Sequence, residues 1–243
     1  MKIHSLFTVL LAGAVLADAS IAAAQSSASA ALPDAQGMVK VRSSTFDNVF
    51  VQPGANFRGY TRIMIDPTQA AMADNWLRYM NTPPLAIMRR TTAQDAEQIV
   101  NQARNGFASN LSGAITRAGY EIVSTPGPDV LRLSPSITNL SVNAPASLTN
   151  APLTRVYTFN AGDATLGLEV RDSMSGELLA RVVDHRIAGQ RNPTRSNARF
   201  TSTATNRFDF GNMFDDWSSG WVRTLDELKL QSPVTAAAMT PLH

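Results

Sequence analysis

The chemistry open to this chain is narrow. Of its three histidines, His4, His185 and His243, only His185 falls within a stretch patterned for a folded interior. A serine–histidine–aspartate device would have to use it, and no Gly-x-Ser-x-Gly elbow is present to expose a nucleophile. Asp184 precedes it directly. Neighbours on a strand point to opposite faces, so the two cannot pair side chain to side chain as a triad requires, and His185 reads as a surface or ladder histidine. The acid pairs Asp215-Asp216 and Asp226-Glu227 sit in helical patterns. Consecutive helix residues diverge by about 100°, which makes each pair a poor chelate and a natural solvated face. The sequence has no cysteine, which excludes thiolate catalysis, cysteine-based zinc or iron–sulfur sites and disulfides. No phosphate loop or dinucleotide fingerprint occurs. The residues therefore imply no cofactor, no metal and no catalytic group. A glycosidase-like pair of acids brought together only by folding stays open as an alternative.

One segment stands out by charge. From Arg186 to Phe210 run Arg186, Arg191, Arg195, Arg199 and Arg207 against a single acid, Asp209. Its abundance of Ser, Thr and Asn predicts a long, mobile loop, and such loops in compact domains often carry function. Arginine forks grip phosphate and carboxylate oxygens in pairs, so these five residues are the candidate contacts for an anionic component or a partner. Exposed charge that merely keeps the chain soluble is the plainer reading.

The elements that would position these residues are legible in part. Tyr60–Asp66 is a short strand closed by Pro67, whereas Ala70–Met80 fits strand or helix alike. Thr92 with Asp95 approximates a capping box. From there Ala96, Ile99, Val100, Ala103, Phe107, Leu111, Ala114, Ile115 and Ala118 form one apolar stripe ending at Gly119, which predicts an amphipathic helix. Tyr120–Val123, Val130–Leu133 and Ile137–Val142 read as strands, with Pro135 placed at a bulge or edge. Ala164–Arg171 alternates with period two, Asp172–Glu177 is turn chemistry and Leu178–Ile187 is the return strand. Phe214, Trp217, Trp221, Leu225 and Leu228 share one face of a second helix, with Asp215 and Asp216 in its first turn. The order predicts an α+β fold: a single mixed or antiparallel sheet with two amphipathic helices packed on one face.

The amino terminus carries the clearest instruction. Lys2 precedes an unbroken apolar run, Leu6–Leu16, and small residues then offer a cleavage site between Ala24 and Gln25. The run falls short of the roughly 20 residues a membrane-spanning helix needs, so residues 1–24 read as a cleaved signal peptide and the mature chain as having no transmembrane segment. Residues 25–37 form a flexible leader, residues 38–230 a single α+β domain and residues 231–243 a loose tail. Hydrophobic residues make up 44% and charged residues 16%, enough for a packed core. A net charge of +2 spread along the chain does not form the basic patch of a nucleic-acid binder.

Several motifs in order resemble a known family. They are Val49-Phe50-Val51-Gln52-Pro53-Gly54-Ala55 with Tyr60 and Met64-Ile65-Asp66-Pro67, then Asp172-Ser173 with Gly176-Glu177, Val183-Asp184-His185-Arg186, and the tryptophan-bearing last helix. Together they resemble a bacterial exported family catalogued as a domain of unknown function, number thirty-three thirteen. The resemblance implies an envelope protein, many of whose relatives look like lipoproteins. This chain departs from them in lacking an anchoring cysteine, and the family supplies no catalytic residues to carry over. The leading expectation is a periplasmic or secreted, non-enzymatic accessory, assembly or binding component that engages an envelope protein or an anionic envelope component. A periplasmic hydrolase with a fold-assembled carboxylate pair is the alternative, and a small-molecule carrier with an apolar pocket a third.

Overall fold

The structure is a computed structural model that describes residues 37–82, 90–149, 155–190 and 198–235. Its centre is an eight-stranded mixed sheet. The strands are β1 (Val39–Val41), β2 (Asn48–Val51), β3 (Arg62–Ile65), β4 (Gln69–Met72), β5 (Glu121–Ile122), β6 (Val130–Val142), β8 (Gly162–Asp172) and β9 (Leu178–Ala188). They run in the order β1-β2-β9-β8-β6-β3-β5, with β4 also pairing β6. The β8–β9 hairpin turns through Asp172–Glu177 as its chemistry predicts, with Gly176 in the left-handed conformation at φ +74°.

Strand periodicity sorts the two faces. Val49, Val51, Ile63, Leu131, Leu133, Ala164, Leu166, Leu168, Val170, Ala180 and Val182 are all buried in one cluster. The helices α2 (Ala93–Arg117) and α4 (Thr203–Gln231) pack against one another and cover this face. Phe107 of α2 meets Phe214 and Trp217 of α4 edge-on, with ring centroids 5.8 and 6.1 Å apart, a favoured aromatic geometry. The opposite face is polar and carries Arg132, Glu169, Arg171 and His185. Thr92 caps α2 in a complete capping box with Asp95, and Gly119 follows its end at φ +87°, as predicted.

Four expectations need correction. The main sheet is accompanied by a second, two-stranded sheet of β7 (Val156–Thr158) and β10 (Arg199–Thr201), and by the short helices α1 (Trp76–Met80) and α3 (Ala146–Thr149), so the fold is more than one sheet with two helices. Pro135 lies in mid-sheet, opposite Leu168, within one continuous strand. Leu133 O accepts from Asp66 N at 2.8 Å, so by alternation the proline nitrogen faces the same side. There β3 has ended and β4 has not begun, and the missing donor costs no ladder bond. The last helix begins at Ser202, so Asp215 and Asp216 lie mid-helix. Its first turns are Ser/Thr/Asn-rich and are set by a Ser202–Thr205 capping box. The segment from Arg186 to Phe210 is consequently not a loop throughout, for it holds the end of β9, all of β10 and the start of α4.

Past α4 the chain is docked at Val234. Val234 is buried, its N–H donating to Ala55 O at 2.9 Å and its carbonyl accepting from Gly54 N at 2.8 Å.

A bulge shapes one end of the sheet. Thr138 pairs Thr165 and Ser141 pairs Asp163, so β6 carries one extra residue there, with Asn139 at φ +52°. Odd-numbered residues of β6 face the helices before the bulge, and Leu140 and Val142 do so after it.

Candidate functional site

That switch of parity builds the floor of a groove. Leu140 and Val142 lie beneath a cavity of about 470 Å³ between the first halves of α2 and α4. The two helices run alongside each other in the same direction: Gly106 lies against Phe214, Arg117 reaches Asp215 and Tyr120 reaches Asp226. Small residues, Ala103 and Gly106 on α2 and Gly211 on α4, hold space open between them. A Cβ on Gly211 would meet nothing within 4 Å. Ile99, Phe210 and Phe214 complete the apolar lining. Gln98, Gln102, Asn105, Asn110 and Arg207 supply polar groups to it.

Asn206 is the most informative residue of the groove. It is buried, and its Nδ2 donates to Ala144 O at 2.6 Å. Its Oδ1 has no hydrogen-bond partner among the described residues. A buried acceptor left unpaired is uncommon and costly. Among the described residues the groove holds one carboxylate, Asp95, whose Oδ2 accepts from Thr92 N and Thr92 Oγ1 at 2.8 and 2.7 Å. It is thereby committed to the helix cap. An apolar floor with neutral amides around it fits binding and orientation.

The sequence-predicted arginines fall in different places. Arg186 donates through Nε to the buried Asp184 at 2.6 Å and through Nη2 to Thr45 O at 2.7 Å, with its guanidinium over the Phe46 ring. Arg199 is fastened to the buried Asp209. Both forks already hold carboxylates of the chain itself. Arg207 is exposed on α4, lines the groove and makes no ion pair among the described residues. Arg191 and Arg195 lie outside the described residues, as do Ala24 and Gln25.

His185 is half exposed on the polar face, with Nε2 3.1 Å from Asp163, while Asp184 points to the helix side of the same strand. A second cavity of about 420 Å³ lies between the end of β9 and α4 and includes two acids, Asp209 and Asp216. Asp209 is held by Arg199, and Asp216 lies 4.0 Å from Arg186, so each acid faces an arginine. Among the described residues no three acidic or histidine side chains gather as a metal site, and no helix is long and apolar enough to cross a membrane.

The groove escaped the sequence reading because its makers are small residues and uncharged amides. The one available signal was the recurrence of Ala103, Gly106 and Asn110 along one edge of the helix's apolar stripe.

The motifs quoted for the family resemblance turn out to be clamps. Asp172 accepts from Tyr60 Oη at 2.8 Å and from Ser175 N at 2.6 Å, and Ser173 exchanges two bonds with Gly127. Gly54, at φ +84°, donates to Val234 O, and Asp184 ties β9 to α4. Residues 27–208 match the family described as "Protein of unknown function (DUF3313)". The chain belongs to this family.

No protein with a curated description matches the chain in sequence. Among solved structures, it is similar to the PelC dodecamer of Paraburkholderia phytofirmans at 8% identity and a TM-score of 0.34, covering 71% of this chain and 96% of that one. A Xanthomonas campestris protein of family DUF330 is 13% identical at a TM-score of 0.37, covering 79% and 96%. A minor lipoprotein of Acinetobacter baumannii is 13% identical at 0.29, covering 69% and 94%. Likeness at this level carries no argument about function.

Proposed function

We propose that this DUF3313 chain is an exported, non-enzymatic binding or assembly component of the bacterial cell envelope, and that it engages its ligand in the groove between α2 and α4. The observation that carries the reading is the groove's composition. Among the described residues an apolar floor is bordered by neutral amides and Arg207, one buried acceptor, Asn206 Oδ1, is unpaired, and the one carboxylate is spent on a helix cap. Such a site suits an uncharged, largely apolar group that brings a hydrogen-bond donor, such as an extended peptide segment of an envelope protein. The leader of Lys2 and Leu6–Leu16 supports export to the periplasm or beyond, with cleavage before Gln25.

The test uses N-phenyl-1-naphthylamine, an apolar fluorophore with a single N–H donor. Titration should show saturable binding that falls at least about tenfold in Gly211→Leu, which fills the groove at a position with open space. Asn206→Leu, which removes the amide that ties α4 to Ala144 O beside the groove, should weaken it by about five- to tenfold. Binding that is unchanged in both variants refutes the groove. Mass spectrometry of the chain recovered from fractionated cells tests export separately: a mature species beginning at Gln25 is expected, and an unprocessed chain in the cytosol refutes it.

A further inference from the structure

The small sheet of β7 and β10 is patterned inside out. From Arg155 to Asn160 exposed and half-buried residues alternate strictly, and the exposed positions are Arg155, Tyr157 and Phe159. Their inward neighbours are Val156 and Thr158, and Thr158 Oγ1 lies 2.7 Å from Thr201 Oγ1. Phe200 pairs with Tyr157 across the strands, and their rings meet edge to face at 6.1 Å. Tyr157, Phe159 and Phe200 are 56%, 63% and 50% exposed. A sheet face that turns threonines inward and three aromatic rings toward solvent reverses the usual pattern, and contiguous exposed apolar surface marks an interaction site.

Arg155 and Arg199 are the charged residues of 155–160 and 198–206. Arg199 is turned inward to Asp209, while Arg155 stands on the aromatic face itself by strand alternation. Tyr and Phe rings beside arginine are what bilayer interfaces select: the rings enter the headgroup and acyl boundary, and the cation meets lipid phosphate.

We infer that the outer face of β7 and β10, formed by Arg155, Tyr157, Phe159 and Phe200, docks the protein peripherally on an anionic lipid bilayer. This site is separate from the groove and stands whether or not the groove binds. Arg155 sets the preference for anionic lipid, and the rings provide the insertion.

The absence of native cysteine allows a direct test in the full chain. A nitrobenzoxadiazole dye is attached to Phe159→Cys, and separately to Met174→Cys at the β8–β9 turn. The latter lies the length of β8 away, roughly 30 Å. With vesicles of phosphatidylglycerol and phosphatidylethanolamine, emission at position 159 should shift to the blue and rise several-fold, with no change at position 174. Phosphatidylcholine vesicles should give a far weaker response. Adding Arg155→Gln should weaken binding about fivefold, and adding Tyr157→Ser with Phe200→Ser should lower it at least about tenfold. Circular dichroism of each variant confirms that the fold is retained, as expected for exposed positions. No response at position 159, or equal responses at 159 and 174, overturns the inference. So does a response that appears without vesicles as the protein concentration rises, which would assign the face to a second copy of the chain.

Discussion

The indole N–H of Trp217 donates to Asp184 Oδ2 at 2.7 Å, fastening α4 to the middle of β9 beneath the core. The same carboxylate accepts from Arg186 Nε at 2.6 Å and from Asp47 N at 2.7 Å. A buried charge is tolerated because donors surround it. Asp184→Ala should therefore destabilise the protein by about 3–5 kcal/mol, since it strands the Trp217 indole N–H and leaves Arg186 only Asp216, at 4.0 Å. Trp217→Phe should cost about 1–3 kcal/mol beyond its lost packing. Urea unfolding followed by far-ultraviolet circular dichroism measures both.

On the polar face Glu169 accepts from Arg171 at 2.7 Å and from Arg181 at 2.6 Å. Burial pushes its carboxyl upward, but the two guanidinium partners outweigh burial and hold it below the ordinary value. A carboxyl whose folded value is depressed contributes its stability fully above the unfolded range, near about pH 4, and loses it as pH falls further. The melting temperature of Glu169→Gln should lie below that of the parent at neutral pH. The gap should close as the solution is acidified past that range, and a constant gap across the titration would contradict this account.

Tyr120 predicts the opposite limb. Burial first, then the neighbouring Asp226, pushes its phenol up to about 12. The folded state thus favours the neutral ring, and its contribution is complete below the free phenol value of about 10. It is lost as pH rises from there through about 12. Ultraviolet difference titration of the parent against Tyr120→Phe should show one tyrosinate missing from the most alkaline part of the curve.

Gly162 occupies φ +141° beside the β6 bulge, and a Cβ there would lie 1.9 Å from Ser141 O. The obstacle is backbone, so it cannot swing away. Gly162→Ala should cost roughly 2–4 kcal/mol by combined strain and overpacking. It should also disturb the groove whose floor the bulge sets, which would show as weakened N-phenyl-1-naphthylamine binding alongside the lowered urea midpoint.

These cases show where sequence reading succeeds and where it stops. The helix from Ala93 was legible because its start is written in local chemistry, Thr92 with Asp95, and its stripe is wide. The last helix was entered too late because its opening turns, Thr203 to Arg207, carry hydroxyls and amides where an apolar stripe was sought. A capping pair, Ser202 with Thr205, marks the true start. Pro135 misled because whether a missing donor matters depends on which neighbour its nitrogen faces, a fact of topology. The alternation of Arg155, Tyr157 and Phe159 is plain in the chain, but alternation defines two faces without saying which is wet. The groove depended on the smallness of Ala103, Gly106 and Gly211, and missing bulk leaves little trace in a hydrophobic pattern.

The pairing of Val49 with Val182 and of Val51 with Ala180 joins stretches that emerge from the ribosome far apart in time. A polypeptide released amino end first offers β2 no neighbour but β1 until the hairpin of β8 and β9 has followed. Closure of the sheet is thus postponed until nearly the whole chain has been delivered. A protein wired in this order stays threadable while it is being made, and finishes folding wherever its last third arrives.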